Sequence, residues 1–295
     1  DNLNKIVNVS AANKTLVLSA YNPNLKLSKS KQKYLAYLNQ DLPTQLKSIE
    51  NVISVSESII TLSNIEKESV LEQAITPLLV DENSQKILQL SQLNSSILAP
   101  LPPSVFIVDK SFVDAINDIK LILKANNEHQ IYVLPEAGAT FIANALKLDM
   151  SSDDLQRVFY INTVPLHNAS LSIVKTFNQN MQSFNPNAQK SHQAFKGYIL
   201  AKLIAESIRR NIEGIKADSL VGVITLPFQV LDKVVGWVKH AGADLNKTII
   251  ADSLSNLNHF DIGLEKPVSI RKDKVIIDQI WLTRANKNGV FIEHE

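Results

Sequence analysis

The chain has 295 residues, 45% of them hydrophobic, and 30 basic against 29 acidic residues give it a formal charge of +1; that is enough for one large domain or for two lobes, each with its own core. Near-balanced charge and an aromatic content of 6% argue against a nucleic-acid surface, which needs a basic surplus on one face and rings for bases to stack on. With no cysteine, neither a disulfide frame nor a thiolate metal site is open to it.

The sequence opens Asp1-Asn-Leu-Asn-Lys5, without the basic start and apolar run of a signal peptide, so a leader has been removed or the chain is a fragment. Residues 16–19 predict a buried strand ended by a turn at Asn22-Pro23-Asn24. Residues 30–50 have mixed helical periodicity, 52–62 suggest one or two strands, and 66–93 read as helical apart from Pro77. Pro100, Pro102 and Pro103 make a hard break. Strand and helix then alternate clearly: strands at 105–108, 131–134 and 158–161, helices at 111–125 and 138–146, with Phe112, Ile116, Ile119 and Ile122 on one face of the first helix. Such alternation implies a parallel sheet covered on both faces, the α/β class.

A helix at 169–184 closes at Asn185-Pro186-Asn187, and a longer amphipathic one follows from Ser191 to Arg210. Ala194, Tyr198, Ile199, Ala201, Leu203 and Ile208 line its apolar face, Lys196, Lys202, Arg209 and Arg210 the other, and Ser191 is placed to cap its first turn. Residues 221–238 predict a strand and, after Pro227, an apolar-faced helix; Pro227, Gln229, Asp232 and Lys233 interrupt them, and no stretch reaches the ~20 apolar residues of a membrane span. A short helix at 246–257 and strands at 268–270, 275–281 and 290–292, the last two joined by an Asn288-Gly289 hairpin turn, complete the chain.

AFKGYILAKLIAESIRR (194–210), then FDIG (260–263) and a strand near Phe291, resembles the closing part of the type I periplasmic binding proteins, the solute receptors of ABC importers. LVLSAYNPNL (16–25), SVFIVDKSFVDAINDIKLILKAN (104–126), IYVLPEAGATFIANAL (131–146) and VFYINTVPLHNASLSIVKTFNQNM (158–181) are similar to further segments of that family in the same order. The resemblance implies a two-lobed α/β fold with parallel sheets flanked by helices. Its first lobe, incomplete, would take 1–42 and 166–262, and its second 43–165 and 263–295. Three departures stand out: the family's opening has no counterpart before Asp1, residues 39–100 match poorly, and 219–240 form an apolar insertion.

By the same resemblance, Ser19, Tyr21 and Asn22 deliver hydroxyl and amide donors to a ligand carboxylate. Glu136 holds the ligand's ammonium, and Phe112 packs against the ligand. Each residue also has a plainer role: turn chemistry for Asn22-Pro23, a solvated loop for Glu136, core packing beside Ile116 for Phe112. His259 and Asp261 are too few for a metal site, and FDIG has a structural-turn explanation in the family. Glu293, His294 and Glu295 read as a solvated tail, and the Asn-x-Ser/Thr triplets at Asn8, Asn13, Asn94, Asn168 and Asn246 as chance in an Asn- and Ser-rich chain. No GxSxG, HExxH, GxGxxG or GxxxxGK[ST] pattern is present, and no cofactor or enzymatic activity is expected.

The expected function is an extracytoplasmic, periplasmic solute-binding protein for an amino-acid-like molecule, closing two lobes for an ABC importer or sensor, with a membrane transporter or envelope protein as partner. Neither nucleic acid nor membrane insertion is expected. The alternative is a ligand-free scaffold of the same fold, its contact surface formed by Phe228, Leu231, Val235 and Trp237.

Overall fold

The computed structural model describes residues 5–6, 8–9, 12, 17–19, 35–38, 40–63, 68–79, 86–90, 93–110, 112–135, 146, 149–166, 168–187, 190–211, 259–269, 276–286 and 291–293. The expected elements at 221–238 and 246–257, most of the helix at 138–146, and the turns at 22–24 and 288–289 lie outside them. The chain divides into two compact units, Asp1–Gln40 with His167–Gln279 and Asp41–Leu166 with Ile280–Glu295.

The second unit is built on a seven-stranded sheet of order β4-β3-β5-β6-β7-β8-β9, comprising β3 (Ser58–Ser63), β4 (Lys86–Leu90), β5 (Val105–Asp109), β6 (Gln130–Val133), β7 (Val158–Asn162), β8 (Trp281–Ala285) and β9 (Phe291–Glu293). The first five are parallel; β8 and β9 add antiparallel strands at one side. Among the described residues its helices are α1 (Leu42–Lys47), α2 (Glu50–Val55), α3 (Glu68–Ile75), α4 (Ser95–Leu98), α5 (Phe112–Ala125) and α6 (Ser152–Leu155). Period-2 alternation sends Ile60, Leu62, Phe106, Val108, Ile131, Val133, Val158 and Tyr160 to one face, where they meet Ala115, Ile119 and Ile122 of α5. Ile59, Ile107, Tyr132, Leu134 and Phe159 face the other way, onto Leu46, Ile49, Ile53 and Leu71 of the first helices. Tyr132 stacks on Phe159 with centroids 4.8 Å apart, and burial pushes its phenol up to about 12.

Two sequence expectations fail in this unit. The first half of 52–62 is the helix α2, because Leu46, Ile49 and Ile53 recur at helical spacing and all bury; the β-branched residues suggested strand, but packing decides. Residues 86–90, expected in a helix, are the edge strand β4, whose parallel pairing with β3 overrides the helix-favouring Leu and Gln. The predicted break at Pro77 is a 3-10 turn (Thr76–Leu78).

In the first unit, β1 (Val17–Ser19) pairs in parallel with β2 (Leu35–Tyr37), a strand that periodicity missed inside 30–50. Helices α7 (Ser172–Phe184) and α8 (His192–Asn211) pack through Phe177, whose ring lies 5.0 Å from Phe195 and 5.4 Å from Tyr198. Ser191 caps α8 as expected, its Oγ accepting the Ala194 N–H at 3.1 Å; the apolar face includes Phe195 as well as Tyr198, Ile199 and Leu203. By their contacts the two units part at 279/280. The reason is local: Gly263 O accepts from Ile173 N, Ile276 N donates to Tyr37 O, and Gln40 Nε2 donates to Ile277 O, so 263–279 are tied to the first unit. Residues 276–280 are accordingly outside any strand, and β8 begins only at Trp281.

The amino-terminal edge of the parallel strands is sealed by polar contacts. Arg157, just before β7, donates to the carbonyls of Leu123 (2.9 Å) and Asn126 (2.7 Å) at the end of α5 and pairs with Asp154 at 2.5 Å. His129, fully buried before β6, accepts the Ser104 N–H on Nδ1 at 3.2 Å, which places its own proton on Nε2. Burial, then the Arg157 charge, hold its pKa below the usual imidazole value, with Glu128 opposing. Its contribution to stability is therefore complete above the unfolded-state value of about 6.5 and is lost as pH falls below it. Unfolding free energy from urea titrations should fall as pH drops below about 6.5, and His129→Gln should remove that component.

Thr61, in the middle of β3, is 1% exposed and its Oγ1 has no partner. Thr61→Val removes the unsatisfied hydroxyl while keeping the branched shape, so it should raise unfolding free energy by about 1 kcal/mol; a lower urea midpoint would contradict this.

Candidate functional site

From β3 the chain crosses to β4 on one side of the sheet, then returns to place β5 on the other. The reversal makes the gap between the carboxyl ends of β3 and β5 a topological switch point, where α/β sheets open a crevice that helices do not fill. The last residues of those strands, Ser63 and Asp109, are register partners there. Strand pairing sets them about 4.8 Å apart. By alternation with Ile59 and Ile107 their side chains share the face that carries α1–α3. Ser63 is 1% exposed, and its Oγ has no partner. Lys110, next after Asp109, is buried and pairs at 2.5 Å with Asp118 in α5, itself buried. Farther along the same edge, Thr163 follows β7, buried and with its Oγ1 unpartnered, while Asn162 donates to Thr283 Oγ1 at 2.7 Å. The amino edge is tied by the Arg157 and His129 contacts, though His129 Nε2 has no partner there, and the carboxyl edge holds the unpartnered hydroxyls of Ser63 and Thr163.

The first unit contributes a separate polar group. Tyr198 Oη accepts from Asn180 Nδ2 at 3.0 Å, and Lys202 Nζ lies 5.6 Å from the Tyr198 ring centroid. Burial lowers the Lys202 pKa, against the pull of Asp261. Asp261 Oδ1 accepts the Gly263 N–H at 2.7 Å, and Phe260 and Val268 exchange two backbone bonds of 2.8 Å. FDIG is thus a hydrogen-bonded turn, and Asp261 is engaged in it. Among the described residues no group of three His, Asp or Glu side chains could hold a metal ion.

Solved structures match nearly the whole chain. A possible leucine/isoleucine/valine-binding protein from Rhodopirellula baltica superposes with a TM-score of 0.70 at 15% identity, covering 98% of this chain and 73% of its own. The fold is that of the type I periplasmic binding proteins. Other proteins of this type are as similar. A leucine-binding protein from Thermotoga maritima gives a TM-score of 0.68 at 11% identity over 98% of this chain and 75% of its own. A fatty acid ABC transporter substrate-binding protein from Thermomonospora curvata gives 0.67 at 11% identity over 98% and 70%. No protein-family profile and no curated protein sequence matches the chain.

Of the residues expected to form the site, Ser19 and Phe112 are described. Ser19 closes β1, with Tyr37 as its register partner in β2. Phe112 opens α5, immediately beyond the carboxyl end of β5 and so beside the switch point. Tyr21, Asn22 and Glu136 lie outside the described residues. Sequence reasoning passed over Ser63, Asp109, Lys110 and Thr163. Their signal was present: SIITLS, VFIVDK and VFYINT are apolar runs that each end in a polar residue, the pattern of buried strands reaching a functional edge.

Proposed function

We propose that this chain is an extracytoplasmic solute-binding protein that closes its two units on an amino-acid-like small molecule and presents the closed form to an ABC importer or sensor. The observation that carries this reading is the type I periplasmic binding fold, joined to a switch-point edge with a buried, unpartnered hydroxyl at Ser63. Solved neighbours of this fold are described as substrate-binding proteins for branched-chain amino acids and for fatty acids, which supports a small solute and leaves its class to chemistry. On this reading Ser19, Tyr21 and Asn22 in the first unit bind the ligand's carboxylate, while Phe112 and Glu136 in the second meet its body and its ammonium. Among the described residues no helix is long and apolar enough to cross a membrane, which suits a receptor that delivers its load to a separate transporter.

Thermal unfolding against amino acids, amides, small organic acids, fatty acids and sugars tests the proposal. A true ligand at a hundredfold excess over its dissociation constant should add ~2.7 kcal/mol of stability and raise the midpoint accordingly. No shift with any class, from a chain that unfolds cooperatively, would overturn solute binding and favour the ligand-free scaffold.

A further inference from the structure

We infer that His129 is an acid-operated latch in the second unit: its protonation frees the amino-terminal ends of β5 and β6 while the rest of the sheet stays folded. Pro102 and Pro103 carry no N–H, so Ser104 is the first donor of the segment that becomes β5. Gln130 N–H donates to Ser104 O at 3.1 Å, backbone to backbone. Ser104 N–H donates instead to a side chain, His129 Nδ1 at 3.2 Å, whose lone pair exists only while that nitrogen is unprotonated. The ring is fully buried, edge-on to Phe106 with centroids 4.9 Å apart, and its Nε2 has no partner among the described residues. A second proton would therefore set Nδ1–H against Ser104 N–H and put an unsatisfied cation inside the fold.

The charges around the ring do not relieve it. Arg157, at the start of β7, donates to His129 O at 3.3 Å and adds a like charge, while Asp154 of α6 is already paired with Arg157 at 2.5 Å. Ser58 of β3 meets Ser104 Oγ at 3.0 Å, and both are neutral. Glu128, exposed in the loop before β6, is the acidic neighbour that favours the cation, and burial with Arg157 outweighs it. Burial alone ties global stability to this proton. The place of the Ser104 bond makes the response local as well: it joins two strand ends, which open at lower free energy than the ladder they border.

Residue-resolved amide hydrogen exchange on the full chain tests this, read as protection factors at about pH 7 and about pH 4.5. The Ser104 amide should lose protection at least about fivefold in acid, the effect of one lost buried hydrogen bond. The Leu134 amide, which donates to Val108 O at 3.0 Å at the far end of the same strand pair, should keep its protection. His129→Asn retains an acceptor at the δ position that takes no proton, so Ser104 should stay protected at both pH values. Glu128→Gln removes only an exposed carboxylate and should move the loss to lower pH, which keeps the test valid should His129→Asn fold poorly. Three results would overturn the latch. They are Ser104 protection that ignores pH, an acid loss shared equally by Leu134, which marks global unfolding, and an acid loss that persists in a folded His129→Asn.

Discussion

Asp118→Ala should destabilise the protein by about 3–5 kcal/mol, the largest single effect expected in the chain. Lys110 and Asp118 are both buried, with side chains 5% and 11% exposed, and their charged atoms are 2.5 Å apart. Removing the carboxylate takes a 2.5 Å ion-pair partner from the Lys110 ammonium inside the fold, where hydration cannot replace it. The comparison that isolates this cause is the double variant Lys110→Met/Asp118→Leu, which removes both charges and should recover most of the loss. Equilibrium urea unfolding of the two variants and the parent provides the measurement. A double variant as unstable as Asp118→Ala would show that packing around α5, rather than the lost ion pair, sets the cost.

Gly263→Ala should cost about 2–4 kcal/mol. Gly263 has φ +88°, a region that disfavours any residue with a Cβ. A Cβ there would also stand 2.1 Å from Ser172 Oγ and 2.9 Å from the Ile173 backbone nitrogen. The hydroxyl can rotate away; the backbone nitrogen cannot, because it opens α7 and donates to the Gly263 carbonyl. Strain and overpacking therefore add. Gly197 in α8 is the control: a Cβ there meets nothing within 4 Å, so Gly197→Ala should be neutral or stabilising through its better helix propensity. Thermal unfolding of the pair reads the difference directly, and equal midpoints would show that the turn accommodates a side chain.

The parts of the fold legible in the sequence were those whose period is reinforced over many residues. α5, β5, β6, β7, α7 and α8 combine length, alternation and end signals, and each lies where it was expected. Short elements whose identity depends on a distant partner were not legible. β4 is a strand because β3 lies beside it, and α2 is a helix because Leu46, Ile49 and Ile53 share one core, facts that no local window contains. The polar groups at the carboxyl edge were legible only in part. Phe112 begins the helix directly after β5, a position its spacing with Ile116 already implied, but the pairing of Ser63 with Asp109 joins strands separated by β4 in the chain and needs the sheet order to be seen.

The sheet order also bears on how the protein is made. All five parallel strands of the second unit lie in Asp41–Leu166, whereas β8 and β9, which cover the side of β7, come from Ile280–Glu295. During synthesis the parallel core can assemble early, but its β7 border, Val-Phe-Tyr-Ile-Asn, stays uncapped until the whole intervening segment of the first unit has been produced. An uncovered apolar strand border is a template for pairing with another chain. The nascent protein is therefore most vulnerable to misassembly in the interval before β8 emerges, and truncation ahead of Trp281 would make that vulnerability permanent.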